Sequence, residues 1–232
     1  MEWLTLVIGN SRFHWAYFED KQLQKTWHSN EPIIPSIGAN LPLYLASVVP
    51  AKTTLFQHHP HLRIIELADI PLAGIYPTMG IDRALAIFGA MNKWGSPCLV
   101  IDGGTALTFT AADGDKLVGG AILPGLKLQL QALAKGTGAL PDVDLKPTLP
   151  QLWAKETPEA IRSGVIYTIL AGIKEFINNW WQEFPQSQII FTGGDGQLLC
   201  DYLSVIQPTM ATKVRVDPNL IFWGIVGCVN EM

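Results

Sequence analysis

The chain has 232 residues, 48% of them apolar and 16% charged, and a formal net charge of −4. This suits a compact protein with a substantial core, in one large domain or two small ones, and it excludes a nucleic-acid partner, which would need clustered Lys and Arg. No basic leader opens the chain, and the apolar run Leu220 to Val229 is far short of the roughly 20 residues that span a bilayer, so neither a signal peptide nor a membrane segment is expected. Trp3 to Ile8 is nearly all apolar and predicts a central buried strand. Arg12 to Phe18 follows with Phe13, Trp15 and Tyr17 on one face, then Gln22 to Trp27 after a turn at Glu19-Asp20-Lys21. Tyr44 to Val49 and Arg63 to Leu67 are further short strands. From Ile81 the pattern becomes helical, with Ile81, Ala84, Leu85, Phe88 and Met91 on one stripe.

A second series begins after Gly95-Ser96-Pro97. Cys98 to Ile101 reads as a buried strand, Ala106 to Ala112 as its neighbour, and Lys116 to Leu123 as a third behind the turn Asp113-Gly114-Asp115. Pro124 is read as the start of a helix, where proline is favoured. A Gly- and Pro-rich loop covers about 136–150, and a long helix runs from about Pro158 to Phe184, with Ile161, Val165, Thr168, Ile169, Gly172 and Phe176 on one side. Gln188 to Phe191 is a strand, Thr192 to Gly196 a glycine turn into another helix, and a last helix starts near Pro218. Cys98, Cys200 and Cys228 are odd in number and set in apolar surroundings, which reads as buried free thiols in a reducing cytoplasm.

Both halves share one order: buried strand, glycine turn, two more strands, then helices. The chain therefore reads as an internal repeat, with lobes at 1–95 and 96–232. Duplicated α/β lobes place ligands in the cleft between them. Asp102-Gly103-Gly104-Thr105 is the strongest local signal. Glycines admit a phosphate to the backbone amides, the Thr hydroxyl can donate to it, and a carboxylate at a strand end can hold a cation. The plainer alternative is a hairpin turn with an incidental Asp. Superposing the repeats puts Val7 on Asp102 and Gly9 on Gly104, with Ser11 just past Thr105, so the first turn keeps its amides and hydroxyl but lacks the carboxylate.

Gly80-Ile81-Asp82-Arg83 opens the first long helix. Asp82 either favours the positive helix end or acts as a base beside an arginine that grips a substrate carboxylate. His58, His59 and His61 read as a surface loop rather than a metal site, because Pro60 breaks the spacing. Trp180-Trp181 marks either a dimer surface or core packing with one half-exposed ring.

In chain order, Gly9-Asn10-Ser11, Ser47-Val48-Val49-Pro50, Gly80 to Arg83, Ile101 to Thr105, Gly119 to Gly125, Thr157 with Ser163-Gly164, and Thr192 to Asp195 resemble the motifs of type III pantothenate kinases, of the actin, sugar kinase and heat-shock ATPase superfamily. The resemblance implies an α/β fold of two ribonuclease H-like lobes and the ATP-dependent phosphorylation of pantothenate in coenzyme A biosynthesis. It further implies a cytoplasmic homodimer that uses Mg-ATP and a monovalent cation, potassium or ammonium. Position by position, it makes Asp82 the proton acceptor and places Tyr76, Gly80, Ile81, Arg83 and Thr157 at the pantothenate site. Val7, Ile8, Gly9, Asn10, Ser11, Arg12, Phe13, His14 and Thr105 match ATP contacts, and Asp102 a monovalent-cation ligand.

The departure is Val7, which stands where the family pattern carries Asp. That carboxylate orients magnesium or its water shell, and its loss removes transition-state stabilisation unless Glu2, Glu19 or Asp20 compensates. Two alternatives follow: a non-catalytic homologue that binds pantothenate or nucleotide in an accessory or regulatory role, and a kinase or phosphatase of the same fold with another substrate. Gly80 to Arg83 and Thr157 argue against the second.

Overall fold

A computed structural model of the chain describes residues 1–35 and 39–231. It divides into two compact units, one of Met1–Trp94 with Asp115–Leu117 and the residues from Asn219 on, the other of Gly95–Gly114 and Val118–Pro218.

The first unit is built on strands β1 (Glu2–Ile8), β2 (Phe13–Glu19), β3 (Gln22–Ser29), β4 (Leu43–Ser47) and β5 (Leu62–Ile64), with the short helix α1 (Pro50–Thr53) between the last two. They form a sheet of order β3-β2-β1-β4-β5. β2 is antiparallel to β1 and β3, whereas β4 is parallel to β1 and β5. Leu4, Leu6 and Ile8 join Phe13, Trp15, Leu43, Leu45 and Phe56 in one apolar cluster. The alternate residues Trp3, Thr5 and Val7 point to the other face and are also buried. There Trp3 stacks on Phe18 at 4.4 Å, and Phe18 meets Trp223 edge-on at 5.9 Å. Cover on both faces explains the unbroken apolar run of β1.

Trp223 belongs to α7 (Leu220–Glu231), which packs on α2 (Ile81–Trp94). The helices touch through backbone. A Cβ on Gly89 would overlap the Leu220 carbonyl oxygen, and one on Gly224 that of Leu85. This differs from the division at residue 95 read from the sequence, which gave the last helix to the second lobe. An apolar helix pattern says that a helix is covered, not which sheet covers it.

The second unit carries β6 (Cys98–Gly103), β7 (Ala106–Asp113), β8 (Lys116–Pro124), β9 (Gln188–Thr192) and β10 (Arg215–Val216), in the order β10-β9-β6-β7-β8. β7 is antiparallel to β6, β9 is parallel to it, and β10 is parallel to β9. Counted from its own first strand, each sheet runs third, second, first, fourth, fifth, so the repeat read from the sequence is a repeat of topology. Its helices are α3 (Leu126–Gly136), α4 (Thr157–Glu183), α5 (Gly196–Ile206) and α6 (Pro208–Ala211). Pro124 ends β8 instead of opening a helix, which edge strands allow, and Gly125 is the N-cap of α3. The buried stripe of α4 runs through Ile161, Val165, Ile169, Ile173, Ile177 and Trp180, whereas Thr168 and Phe176 are exposed. Trp180 thus belongs to the core and Trp181 is the half-exposed ring.

Among the histidines expected in a surface loop, His59 is buried, its Nδ1 accepting from the His61 N–H at 3.3 Å. No cluster of three metal-ligating side chains occurs among the described residues. Cys98 and Cys228 are buried and Cys200 is half-buried, all as free thiols, and burial pushes the Cys98 thiol up to about 12. No helix among the described residues is long and apolar enough to cross a membrane.

Candidate functional site

The first glycine turn closes with the Gly9 N–H donating to the Arg12 carbonyl at 3.0 Å, and Asn10, Ser11 and Arg12 are exposed. Two residues before that glycine, Val7 pairs with His14 on β2 and Ala46 on β4. The second turn closes with the Gly104 N–H on the Ala106 carbonyl at 3.0 Å, one residue tighter, leaving Thr105 exposed at its tip. Two residues before it, Asp102 pairs with Thr108 on β7 and Thr192 on β9. Val7 and Asp102 therefore occupy the same position of the repeated sheet, one a valine, 3% exposed, the other a half-buried carboxylate.

Two segments of the second unit converge on Asp102–Thr105, the junction of β8 with α3 and the turn after β9. The Gly125 N–H donates to the Thr105 carbonyl at 2.9 Å, and a Cβ on Gly125 would overlap the Gly104 carbonyl oxygen. Asp195 N–H donates to the Gly103 carbonyl at 2.8 Å. Gly193 sits at φ +81°, and a Cβ there would overlap Asp102 Oδ1 and stand 2.6 Å from the Gly103 carbonyl oxygen. Lys127, in the first turn of α3, places Nζ 3.9 Å from Asp195 Oδ1. Burial raises the Asp195 pKa, and Lys127 opposes that rise. Asp102 Oδ1 and the Gly103 carbonyl oxygen thus border the space that Gly193 leaves by having no side chain. Asp195 and Lys127 were absent from the residues assigned from sequence, as was Gly125. The Gly119 to Gly125 motif signals Gly125, but nothing local signals that Lys127 meets Asp195.

In the first unit, Arg83 is buried and its Nη1 donates to the Tyr76 hydroxyl at 2.9 Å. Asp82 Oδ1 accepts from the Arg83 N–H at 2.9 Å, and a Cβ on Gly80 would lie 2.5 Å from that oxygen. Tyr76, 40% exposed, lines a cavity of about 320 Å³ with Ile70, Leu72, Ile75 and Pro77. Tyr76, Gly80, Ile81, Asp82 and Arg83 thus form one group. Thr157 is exposed at the start of α4 and lines a cavity of about 450 Å³ with Leu140, Lys155 and Ile161.

The side chain across from Val7 is His14. Its Nε2 would lie 3.4 Å from a Cβ on Gly9, and its ring meets that of His28 on β3 edge-on at 4.7 Å. Burial first, then the positive charges of His28 and Arg12, hold the His14 pKa down at about 4. An unfolded imidazole protonates near 6.5, so the stability tied to neutral His14 is complete above that pH and is lost as pH falls towards 4. Glu2 and Glu19, the acids of this sheet, pair with each other at the opposite end of β1. Val7 lies five positions beyond Glu2, roughly 17 Å of strand. Asp20 engages the chain amino group at that same end. None of the three replaces a carboxylate at position 7.

Residues 44–179, more than half of the chain, match the family model described as type III pantothenate kinase. A type III pantothenate kinase from a Nostoc species is 46% identical, over 97% of this chain and 93% of its own length. Another from a Synechocystis species is 45% identical, over 96% and 88%, and one from Gloeobacter violaceus 40%, over 96% of both chains. Among solved structures, a Campylobacter jejuni protein provisionally described as a Baf family transcriptional activator is 23% identical with a TM-score of 0.71, covering 98% of each chain. The activator of the 2-hydroxyisocaproyl-CoA dehydratase from Clostridium difficile, solved with bound ADPNP, is 9% identical with a TM-score of 0.54, over 98% of this chain and 92% of its own. These two likenesses concern the fold, which is the actin-like α/β architecture.

Proposed function

We propose, because the chain belongs to the type III pantothenate kinase family, that it transfers the terminal phosphoryl group of ATP to the alcohol of pantothenate, giving 4'-phosphopantothenate for coenzyme A biosynthesis. The observation that carries this reading is the match across residues 44–179, which includes the Tyr76 to Arg83 group, the Asp102 turn and Thr157.

Phosphoryl transfer through a loose transition state asks for in-line positioning and charge neutralisation more than for a strong base. In this reading Asp82 accepts the alcohol proton late in the step. Its Oδ1 already meets the Arg83 amide, which fixes the carboxylate at the head of α2. Arg83 holds Tyr76 by its hydroxyl, so Tyr76 is a braced wall for pantothenate, and Thr157 offers a hydroxyl to the same substrate. Val7 to His14 and Thr105 line the ATP site in this reading. Asp102, with the Gly103 carbonyl, would hold the potassium or ammonium ion that balances phosphate charge, and magnesium would arrive on the ATP phosphates. The reading includes a homodimer, which rests on the family resemblance alone, and a cytoplasmic location, which three free cysteines suit.

Purified protein supplied with Mg-ATP, potassium or ammonium, and pantothenate should release ADP and 4'-phosphopantothenate. Pantothenate binding without turnover under either cation would favour the accessory-protein reading that Val7 motivates. Phosphorylation of a different alcohol without pantothenate binding would favour another kinase of this fold. Val7→Asp should raise kcat about tenfold, or about 1.4 kcal/mol of barrier, or else lower the magnesium concentration needed for half-maximal rate. If steady-state rates across a magnesium titration show neither change, the chain already replaces that carboxylate.

A further inference from the structure

Between β5 and α2 the chain holds one short helical turn, Leu67–Asp69, and otherwise runs irregularly through Tyr76. Tyr76 is 40% exposed, so burial does not fix its ring. Its hydroxyl accepts from Arg83 and its carbonyl from the Met79 N–H at 2.9 Å, and both donors follow it in the chain. The chain before it is held by a clasp on the first residues of β8. The Ala73 N–H donates to the Asp115 carbonyl and the Leu117 N–H to the Ala73 carbonyl, each at 2.8 Å, as one rung of parallel pairing between Ala73 and Lys116. These bonds account for the grouping of Asp115–Leu117 with the first unit. Gly114 at φ +59° and Gly119 at φ +156° stand on either side of that stretch, with open space where a Cβ would be, and set it apart from the rest of the β7–β8 hairpin.

Directly after the clasp, Gly74 turns the chain left-handed at φ +81°. A Cβ there would lie 3.4 Å from the Leu117 carbonyl oxygen and 3.7 Å from Lys116 Cγ, ordinary contact distances. Backbone conformation rather than space therefore asks for glycine. Tyr76 comes two residues later. We propose that Gly74 is a positioning residue for pantothenate: with Ala73 pinned on β8, its left-handed turn delivers Tyr76 to the place where the ring walls the substrate. The assignment rests on the kinase reading above, since it takes Tyr76 to be a pantothenate contact.

The effect works through populations. A residue that resists the left-handed turn leaves the clasp open for part of the time, and Tyr76 is then out of place. Pantothenate binds the closed fraction, so its apparent affinity falls in proportion to that fraction. Nucleotide affinity should not change, because the ATP contacts lie at the two glycine turns. The size of the effect should follow the ease with which each residue type turns left-handed. Asparagine does so readily, alanine at a cost, and a β-branched residue only as an outlier. A glycine that served stability alone would show no such order in pantothenate affinity, and no dependence on Tyr76.

The test is calorimetric binding of pantothenate to the full chain, with the β,γ-imido analogue of ATP plus magnesium as the control ligand. Gly74→Val should raise the Kd for pantothenate about tenfold and Gly74→Ala about threefold, whereas Gly74→Asn should stay within about twofold of the parent. The Kd for the analogue should be the same in all four proteins. In a Tyr76→Ala background, where the wall is already gone, Gly74→Val should add less than about a further twofold. Equal pantothenate affinity in the valine and asparagine variants would overturn the assignment. So would a tenfold effect that persists without the Tyr76 ring, or one shared by the analogue. If Gly74→Val does not fold, Gly74→Ala takes its place in each comparison. Should the parent bind pantothenate and all the Gly74 variants match it, only the role of Gly74 fails. If the parent binds no pantothenate, the kinase reading fails and this assignment with it.

Discussion

Asp82→Asn is expected to lower kcat by about 10²- to 10⁴-fold, the range associated with loss of a positioned general base. The change preserves shape and leaves an oxygen at Oδ1 to accept from the Arg83 amide, so the first turn of α2 keeps its internal contact. Thermal denaturation should therefore stay within a few degrees of the parent, and pantothenate should still bind against Tyr76. This combination separates chemistry from scaffolding, because a carboxylate that merely complements the helix end is worth only about 0.3–1 kcal/mol of stability. Turnover close to the parental value would remove Asp82 from its assigned role, whatever happened to the melting temperature.

Gly193→Ala should be as damaging by a different route. The residue sits at φ +81°, where an L side chain is strained by about 1–3 kcal/mol. The new Cβ would also overlap Asp102 Oδ1 and crowd the Gly103 carbonyl oxygen at 2.6 Å. Something must yield, and the movable group is the Asp102 carboxylate. The expected result is a lower melting temperature together with a fall in kcat/KM for ATP of 100-fold or more, and a rate that no longer responds to potassium or ammonium. Rates titrated with each cation, beside a thermal melt, check both parts. A lowered melting temperature with unchanged cation activation would leave Asp102 without its place in the cation site.

Much of the architecture was legible in the sequence because its signals are local. The apolar run Trp3 to Ile8, the glycine turns and the equivalence of Val7 with Asp102 follow from patterning over a few residues, and the registers of the two sheets agree with them. The helix at Ile81 was legible for the same reason, as was the tight turn at Asp113-Gly114. The misread features depend on what lies opposite. Pro124 looks like a helix start until β8 is seen to carry its alternation through that residue at a sheet edge. The face of α4 shifts because Phe176, exposed at 43%, lies flat on Phe109 rather than pointing inward. The Lys127–Asp195 contact spans α3 and the turn after β9, and His28 reaches His14 only through the register of β2 on β3. No periodicity in one segment encodes such meetings.

The packing of α7 on α2 also sets an order of events during synthesis. The side of α2 that carries Leu85 and Gly89 is finished only by residues beyond Asn219, more than a hundred positions after Trp94. At about 5–20 residues per second, roughly 6 to 25 s pass between the emergence of α2 and that of its cover. During that interval the second unit's residues through Pro218 have all been made, while the first unit still lacks a wall of its core. The unit begun first is thus the last that can close, and a chain ending before Asn219 has every strand of the second sheet but leaves an apolar face of the first unit uncovered.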